Sequence, residues 1–378
     1  MKIMHMSDLH LGKRIKEFSM LEDQEYILNR ILDTMNETNV QTVIIAGDVY
    51  DKAVPSAEAV ELFDKFLSEL LKRNLKVFVI SGNHDSPERI AFGNKIMYRS
   101  NIFMSPVYMG EIEPVTLEDE FGEINFYMLP FLKPANVRRF YPETEIISYT
   151  DALKTVISNM NIDTEKRNIL ISHQFVTGAV RSDSEEKTVG GLDNVDSIVF
   201  KDFDYTALGH IHRAQKCGTD FIRYSGSPLK YSFSEKENKS VTIIDMKTKG
   251  ETEISFAKLS PKRDMLELKG TYNNLTLKSF YENTSYTEDY VNVTLTDEEE
   301  IPDALRKLRV IYKNIMSLRY DNKRTRNNFF ASKKIDITAK TPLEHFDEFY
   351  KMQNGQPMSD EQRKFIVENI EKIWRDET

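Results

Sequence analysis

Short apolar segments alternate with amphipathic stretches over the first 250 residues of the chain. The apolar segments have the length and composition of β-strands, and they are residues 2–6, 42–46, 76–80, 124–129, 168–171, 205–208 and 241–246. Among the stretches between them, residues 56–73 carry Phe63, Leu67 and Leu70 at helical spacing. This alternation of strands and helices predicts an α/β fold.

The pattern changes near residue 260. Residues 261–340 contain strand-like segments at 290–295 and 335–338 on either side of a helical segment at 303–315. Two amphipathic helical segments, joined by the turn-rich linker NGQPMS, follow in residues 341–378. We therefore predict an α/β domain over 1–260, a small α+β domain over 261–340 and C-terminal helices over 341–378.

The composition is that of an ordinary globular protein. The chain has 378 residues, 40% of them apolar and 29% charged, a length that suggests two or three domains. No stretch approaches the roughly 18 consecutive apolar residues of a membrane span. The only cysteine, Cys217, cannot form an internal disulfide, which fits a reducing compartment and excludes a cysteine-rich zinc module. The sequence therefore predicts a cytoplasmic protein without membrane contact.

Positive charge is concentrated in one part of an acidic chain. The net charge is −9, yet residues 301–340 contain eleven Lys or Arg and three Asp, so this segment carries +8 and the rest −17. Such a segment can bind phosphates locally, because salt screens each charge within roughly 10 Å. A solvated helix face would show the same pattern, so charge alone leaves both interpretations open.

Polar side chains with metal-binding or catalytic chemistry come directly after the apolar segments. The carboxyl ends of strands in an open α/β sheet form one crevice, so these side chains are expected to converge. They are, in chain order, Asp8 and His10, then Asp48, then Asn83, His84 and Asp85, then His173, and then His210 and His212.

These residues supply mixed nitrogen and oxygen ligands. Imidazole and carboxylate together suit Mn, Fe or Zn rather than an oxygen-only Mg or Ca site. Seven ligands are too many for one tetrahedral ion but suit two ions that share a carboxylate. Gly47, Gly82 and Gly209 lie beside the ligands and would permit close backbone approach.

The ordered set DxH, GDxxD, GNHD, H and GHxH resembles the calcineurin-like metallophosphoesterases. Within them the chain is similar to the SbcD-type DNA nucleases, through SDLHLGK at the start, HQFVTGA at 173–179, VGGLDNVD at 189–196 and SGSP at 225–228. The similarity is looser towards the C-terminus, where it rests on PLEHFDEFY and NGQPMS. The resemblance implies two central β-sheets flanked by helices, a small α+β capping domain and C-terminal helices.

The resemblance also implies a role for each candidate residue. Seven ligands would hold two divalent ions, expected to be Mn²⁺: Asp8, His10 and His212 on the first, Asn83, His173 and His210 on the second, and Asp48 as the bridge. His84 would donate to the scissile phosphate or the leaving oxygen. Asp85 and Asp51 would orient His84 or a ligand, although a turn or helix cap would also explain them.

The metal ligands predict phosphoester hydrolysis, whereas the DNA substrate comes from the resemblance. The implied activity is exonuclease and endonuclease cleavage at double-strand ends and hairpins, in DNA repair, recombination and replication. The implied partner is an SbcC-type SMC-like ATPase, and the implied assembly is a homodimer within a nucleoid-associated heterotetramer. The chain has no GxxxxGK[ST] loop of its own. The candidate DNA contacts are Arg306, Lys307, Arg309, Lys323, Arg324 and Arg326.

Several alternatives stay open at this point. The C-terminal helices are expected to dock on the partner's coiled coil, but they could instead pack on this chain. An enzyme of the same fold could act on another substrate, such as a cyclic nucleotide or a phosphoprotein. A scaffold without catalysis is the third possibility, although such proteins usually lack part of the ligand set.

Overall fold

The computed structural model describes residues 1–185, 193–323, 325, 342–354 and 357–376. The chain divides into two compact units. The larger unit comprises Met1–Lys269, Asn273–Val293 and Asp303–Leu318. The smaller unit comprises Gly270–Tyr272, Thr294–Pro302 and the described residues from Arg319 onward. The domain boundaries after residues 260 and 340 stay a prediction.

Strands and helices alternate along the described part of the chain. The strands are β1 (Lys2–Met6), β2 (Arg14–Ile15), β3 (Phe18–Ser19), β4 (Thr42–Ala46), β5 (Lys76–Ile80), β6 (Ile102–Met104), β7 (Val115–Asp119), β8 (Gly122–Leu129), β9 (Arg167–His173), β10 (Phe175–Val176), β11 (Asn194–Val195), β12 (Tyr205–Gly209), β13 (Gln215–Cys217), β14 (Thr219–Tyr224), β15 (Ser240–Met246), β16 (Thr252–Lys258), β17 (Met265–Gly270), β18 (Tyr290–Leu295) and β19 (Asn314–Tyr320). The helices before residue 310 are α1 (Leu21–Thr38), α2 (Ala57–Lys72), α3 (Pro87–Ile90), α4 (Asn94–Met97), α5 (Pro134–Arg138), α6 (Tyr149–Ser158), α7 (Tyr272–Thr276), α8 (Lys278–Tyr281) and α9 (Ala304–Arg309), with 3₁₀ turns at Tyr98–Ser100 and Ser197–Phe200.

The first large sheet has the strand order β16-β15-β1-β4-β5-β6. Strands β1, β4, β5 and β6 run parallel, and α1 and α2 connect the first three of them. Such crossovers explain why these strands are nearly continuous apolar runs, since both faces of the sheet are covered. The antiparallel strands β15 and β16 complete the sheet beyond β1.

The second large sheet has the order β13-β14-β12-β9-β8-β7. Its four inner strands, β14, β12, β9 and β8, are parallel, whereas β13 and β7 pair antiparallel at the two edges. Gly209 at the end of β12 is the register partner of His173 at the end of β9. The sheet therefore brings two of the predicted motifs to one edge.

The two sheets pack face to face. Their inner faces share one buried apolar cluster in which the rings of Phe78 and Phe126 stack with centroids 4.2 Å apart. The outer face of the first sheet is covered by α1 and α2, and that of the second by α5 and α6. This arrangement of helix, sheet, sheet and helix confirms the predicted fold class.

Residues that follow the sandwich form smaller elements. Strands β17, β18 and β19 form a three-stranded sheet in that order. The predicted helix over 303–315 was too long, because α9 ends at Arg309 and Asn314 already begins β19. Ile315 and Met316 are buried as strand residues, so sheet pairing outweighs the helical spacing of the sequence. The strand predicted at 335–338 lies outside the described residues.

Two helices follow in the C-terminal region, Pro342–Asn354 and Asp360–Asp376, and we call them the C-terminal helix pair. They contact each other through Arg363, whose guanidinium lies 3.1 Å from a carboxylate oxygen of Asp347. Helices therefore occur at both amphipathic segments predicted there. Within the described residues, none of the helices has the length and apolarity needed to cross a membrane.

Candidate metal centre

The loops after the strands carry the candidate ligands in an unusual backbone conformation. Asp8, His10, Asp48 and His210 have φ angles of 56°, 45°, 51° and 102°. Positive φ is uncommon in residues other than glycine and is found preferentially at functional sites, where the surrounding structure holds it in place. The loops therefore turn sharply at the carboxyl ends of β1, β4 and β12, and aim these side chains into one cluster.

The predicted ligands form one cluster with shared members. Within each of three groups, ligand atoms lie within 4.8 Å of one another: Asp8 with His10 and His212, His10 with Asp48 and His84, and Asp8 with Asp48 and His173. The Nε2 atom of His10 lies 3.0 Å from Nε2 of His212 and 3.6 Å from Oδ2 of Asp48. The Asp48 carboxylate thus lies centrally, as a bridge between two ions would.

Asn83 joins the cluster from the β5 loop. Its Oδ1 atom lies 3.0 Å from Nε2 of His173 and 2.8 Å from Nδ1 of His210. The same His173 nitrogen is 3.3 Å from Oδ2 of Asp48. The structure therefore brings together all seven residues that the sequence proposed as ligands, from two different sheets.

The tautomer of His173 is fixed by the facing sheet. Its Nδ1 atom lies 2.8 Å from the carbonyl oxygen of Ala46, which can only accept a hydrogen bond. Nδ1 therefore carries a proton, and Nε2, which faces Asp48 and Asn83, is the nitrogen that is left to bind a metal ion once it is deprotonated. A backbone carbonyl behind a histidine is a common way to orient a metal-binding imidazole.

The buried carboxylates of the cluster would be stabilised by added positive charge. Asp8 and Asp48 are buried, and burial raises the pKa of Asp8. Burial also acts to raise the pKa of Asp48, yet the neighbouring His173 and His10 side chains lower it well below its usual range. Burial acts to lower the pKa of His173, but the Asp48 carboxylate raises that pKa to about 9. A divalent cation would balance the same buried carboxylates more completely than one imidazolium can.

The remaining imidazoles are suited to bind such a cation. Burial lowers the pKa of His10 well below its usual value and the pKa of His210 to about 3. Both rings are therefore neutral, as a ligating imidazole must be. Oxygen donors from carboxylates and nitrogen donors from imidazoles fit two divalent transition-metal ions.

His84 lies at the side of this cluster. Its ring is half-buried, with its centroid 4.8 Å from that of His10. Its backbone N–H donates to Oδ1 of Asp48 at 2.9 Å, and its Nδ1 lies 3.0 Å from the carbonyl oxygen of Asp51. His84 is thus held next to the central carboxylate, by its backbone N–H bond to Asp48 and by the contact of its ring with the main-chain oxygen of Asp51.

Asp85 supports the cluster from behind the loops. The buried Asp85 carboxylate accepts hydrogen bonds from the backbone N–H groups of Val49, Tyr50 and Gly82 at 3.1, 2.9 and 2.9 Å. It therefore ties the Asp48 loop to the Asn83 loop. Burial, and then the Asp48 charge, raise the pKa of Asp85 to about 6.

The Asp51 carboxylate lies beside the first group of ligands. It pairs with Lys13 at 2.6 Å, and its Oδ1 is 3.7 Å from Nδ1 of His10. The main-chain oxygen of Asp51 lies 3.0 Å from Nδ1 of His84. The side chain is therefore placed to influence His10, and the backbone to orient His84.

Two buried residues that sequence reasoning missed hold the loop after β1. The amide of Gln24 donates to the carbonyl oxygen of His10 at 2.7 Å and to the Tyr231 hydroxyl at 3.1 Å. Tyr231 in turn donates to the carbonyl oxygen of Leu9 at 2.5 Å. Their separation of 207 residues in the chain left no local signal in the sequence.

A second missed group surrounds His212. The Ser184 hydroxyl lies 2.8 Å from Nδ1 of His212, and the backbone N–H of His212 donates to Glu185 at 2.7 Å. Ser184 also donates to Glu235 at 2.7 Å, and Glu235 pairs with Lys239. Ser184 and Glu185 therefore touch the site, while residues 186–192, which follow them, lie outside the described residues.

The three glycines beside the ligands permit close packing, as predicted. A Cβ atom added at Gly47 would lie 2.4 Å from Nδ1 of His173, and one added at Gly82 would lie 2.1 Å from Oδ1 of Asp48. At Gly209 it would lie 1.9 Å from the carbonyl oxygen of Ala46. These distances leave no room for a side chain, so each loop comes into contact with the next through glycine.

The predicted DNA contacts are only partly described. Arg306, Lys307 and Arg309 are exposed on α9, and Arg309 pairs with Glu17 at 3.1 Å. Lys323 is exposed in the smaller unit. The remaining two, Arg324 and Arg326, lie outside the described residues.

Family comparisons match both ends of the chain. The family model described as Calcineurin-like phosphoesterase matches residues 1–214, and the one described as Type 5 capsule protein repressor C-terminal domain matches residues 261–354. A protein from Staphylococcus epidermidis, named as the SbcD subunit of the nuclease SbcCD, is 32% identical over 367 residues, which cover 95% of this chain and 95% of that protein. A protein of the same name from Staphylococcus saprophyticus is 32% identical over 378 residues, which cover 99% of this chain and 97% of that protein.

The chain belongs to the SbcD family of calcineurin-like phosphoesterases. A solved dimetal phosphatase from Danio rerio is 10% identical, with a TM-score of 0.41 over 68% of this chain and 96% of that one. Membership confirms the predicted family and the predicted enzyme class, a metal-dependent nuclease. The roles of individual ligands and of His84 stay predictions.

Proposed function

We propose that this chain is the nuclease subunit of an SbcCD-type complex and hydrolyses DNA phosphodiester bonds at double-strand ends and hairpins. The observation that carries this proposal is the convergence of the six other predicted ligands around the buried Asp48 carboxylate. The names of the two relatives support the substrate class and the complex. We propose that the protein acts in DNA repair, recombination and replication, in the cytoplasm and in association with the nucleoid.

Two divalent ions are the proposed cofactors, and the mixed donor set favours Mn²⁺ over Mg²⁺. When bound, such a pair of ions neutralises charge on a phosphoryl group and lowers the pKa of a bound water molecule to about 7. The first ion is assigned to Asp8, His10 and His212, the second to Asn83, His173 and His210, and the bridge to Asp48.

His84 is the proposed donor to the reacting phosphate. The carbonyl oxygen of Asp51 accepts from its Nδ1, so the proton on that nitrogen is already engaged. Nε2 then donates only when the ring carries its second proton. An imidazolium in this position would stabilise charge that develops on the phosphate or on the leaving oxygen.

The exposed cations of α9 support DNA binding outside the cluster. Arg306 and Lys307 are exposed on one short helix. Contacts from such side chains to phosphates position a strand without reading its sequence. We assign the same role to Arg309 and Lys323, and, among residues that are not described, to Arg324 and Arg326.

An SbcC-type SMC-like ATPase is the proposed partner. Each member of the C-terminal helix pair exposes an aromatic side chain, with Phe349 54% and Phe365 64% exposed. Exposed apolar anchors on paired helices are suited to dock against a coiled coil. We propose this surface as the docking site, within a heterotetramer that contains two copies of this chain.

The proposal is tested by DNA cleavage. The full chain would be assayed with Mn²⁺ or Mg²⁺ on linear duplex, hairpin DNA and a chromogenic phosphodiester, with and without an SbcC-type partner and ATP. Cleavage of duplex ends or hairpins that depends on metal supports the proposal. If only the small phosphodiester is hydrolysed, even with the partner present, the metal centre is right and the DNA assignment is wrong.

A further inference from the structure

One strand of the second sheet delivers an aromatic side chain, rather than a ligand, to the edge where the ligands meet. Phe131 follows β8, which lies beside β9 and runs parallel to it. Its backbone N–H donates to the carbonyl oxygen of Ser81 at 3.0 Å, which fixes it next to the Asn83 loop of the other sheet. The position of Phe131 is therefore set in part by the loop that carries Asn83, a candidate metal ligand.

The ring of Phe131 lies against the imidazoles of the cluster. It is nearly parallel to the His210 ring, at 18° with centroids 6.4 Å apart, and it meets the His173 ring at 84° and 6.3 Å. The adjacent Leu129 and Leu132 point into the buried core, whereas Phe131 is half-buried. Part of an aromatic surface is thus exposed within reach of the two groups assigned to the second ion.

Further aromatic and cationic groups extend from Phe131. The Tyr149 ring is 6.5 Å from it, and the Arg181 guanidinium lies 3.6 Å from the ring centroid of Phe175. Arg181 pairs with Asp193 at 2.5 Å, Phe175 is the register partner of Asn194, and the hydroxyl of Thr150, next to Tyr149, donates to the carbonyl oxygen of Asn194 at 3.2 Å, so these groups are neighbours. Phe131, Tyr149 and Phe175 are all half-buried. We call this set the aromatic rim.

We propose that Phe131, at the inner end of the aromatic rim, stacks on the nucleobase beside the scissile phosphate, and that the site thereby selects unpaired nucleotides. Every base presents a π-face, so stacking binds single strands without regard to sequence. Within a duplex, those faces are covered by the neighbouring base pairs. This inference rests on the proposed function, because it presumes that the bound phosphodiester belongs to DNA.

A purely structural role for Phe131 would be to pack against His210 and keep its ring in place. The two roles differ in one respect, because only stacking depends on the presence of a base. A single-stranded thymidine oligonucleotide and an oligomer of abasic tetrahydrofuran units of equal length carry the same phosphates. Their affinities for the full chain therefore isolate the contribution of the bases.

The experiment measures both affinities by fluorescence anisotropy in EDTA, for the wild type and for Phe131→Leu, which retains apolar bulk. One stacked base contributes about 5- to 140-fold in affinity, and we expect the preference for the oligonucleotide with bases to fall by roughly this factor in the variant. The matched control is Phe256→Leu on the edge strand β16, a 52% exposed ring with the Arg223 guanidinium 4.3 Å from its centroid. It should leave the preference unchanged.

Cleavage with Mn²⁺ supplies the second readout. Loss of stacking should raise KM for the oligonucleotide and leave kcat close to wild type, because a base is stacked in both the ground state and the transition state. An unchanged preference for bases in Phe131→Leu overturns the inference and leaves the packing role. Failure of the wild type to cut any DNA counts against the proposed function instead, since the anisotropy comparison does not require cleavage.

Discussion

The Nδ1 atom of His84 lies 3.0 Å from the main-chain carbonyl oxygen of Asp51. Because the contact is made by the backbone, the orientation of His84 does not depend on the Asp51 side chain. That side chain instead pairs with Lys13 and lies 3.7 Å from His10. Substitutions at the two positions should therefore affect catalysis and metal binding separately.

We expect His84→Ala to lower DNA cleavage by roughly 10²–10³-fold, since one positioned donor at developing charge contributes about that factor. The variant should retain both ions, because His84 is not among the proposed ligands. Single-turnover rates and elemental analysis of the purified protein measure the two quantities.

Asp51→Ala is the matched comparison for that variant. It keeps the carbonyl that holds His84, so the rate at saturating metal should stay near that of the wild type. Its affinity for metal should fall by about 10–100-fold, which is the usual effect of removing a residue that orients a metal ligand. A His84→Ala protein that cleaves DNA at the wild-type rate would remove His84 from the mechanism.

Gly209→Ala should disrupt the metal centre without replacing a ligand. The new Cβ would lie 1.9 Å from the carbonyl oxygen of Ala46 and 2.7 Å from Nδ1 of His173, so the hydrogen bond between those two groups must shift. We expect metal content to fall about tenfold or more, and stability to fall by roughly 1–3 kcal/mol. Elemental analysis and thermal denaturation test this.

Gly250→Ala provides the control for this effect. Gly250 has a φ of +84° and nothing within 4 Å of an added Cβ, so the substitution brings backbone strain but no collision. It should lower the melting temperature slightly and leave the metal content at the wild-type level. Equal metal loss in both variants would show that Gly209 matters only through general stability.

Much of this architecture could be predicted from local sequence. Strands β1, β4 and β5 begin and end at the predicted residues, because both of their faces are covered and the apolar runs stop where the polar loops start. Asp8, Asp48 and His173 were correctly expected at one edge of the sandwich, because each follows the carboxyl end of a predicted strand. What local sequence determines is therefore the strand, its end and the residue that follows.

The supports of the site could not be predicted in this way. Gln24 lies in an amphipathic helix and looks like one more polar position, yet it is buried and holds the His10 loop. Ser184 and Glu235 contact each other across 51 residues of chain. The helix predicted over 303–315 failed for a related reason, since the pairing of β19 in a sheet is not visible in the local spacing around Asn314.

We expect Gln24→Ala to weaken binding of the ion assigned to His10. The substitution removes bonds to the carbonyl oxygen of His10, to the Tyr231 hydroxyl and to the N–H of Gly12, which donates to Gln24 at 3.0 Å. Affinity for that ion should fall about 10–100-fold, and stability by roughly 1–3 kcal/mol. Metal titration by calorimetry checks the first value, and chemical denaturation the second.

Asn29→Ala is the matched control on the same helix, because Asn29 is exposed on α1. This variant removes an amide of similar chemistry from the solvent side of the helix. Its metal affinity should equal that of the wild type. If Gln24→Ala also binds metal normally, the loop after β1 keeps its conformation without the glutamine.

The ion pair of Asp119 should give a defined pH dependence of stability. Arg167 lies 2.5 Å and the N-terminal amine 2.9 Å from the Asp119 carboxylate. Burial acts to raise its pKa, but these two partners lower it from the ordinary 3.8 to about 2. A carboxyl with a lower pKa in the folded state stabilises that state above the unfolded pKa, and the contribution disappears as pH falls from about 4 to about 2.

Asp119→Asn should therefore lower the free energy of unfolding by roughly 1–3 kcal/mol at pH 7. The difference between wild type and variant should shrink below pH 4 and be nearly absent at pH 2, as measured by denaturant unfolding across this range. A difference that stays constant with pH would mean that Asp119 acts through packing and not through its charge.

The exposed cations of α9 should determine how salt weakens DNA binding. Each phosphate contact by Lys or Arg contributes about 0.9 to the slope of log affinity against log salt concentration. We expect the double variant Arg306→Gln and Lys307→Gln to bind duplex DNA more weakly and to reduce this slope by about 1–2.

Hydrolysis of a small chromogenic phosphodiester by that variant should be unchanged, because neither residue belongs to the metal centre. Lys65→Gln with Lys72→Gln is the control: these side chains are 60% and 70% exposed on α2, and their replacement changes the net charge by the same amount. If the control reduces the slope as much as the α9 variant, DNA binding depends on the total charge of the protein, and α9 is not the surface that contacts DNA.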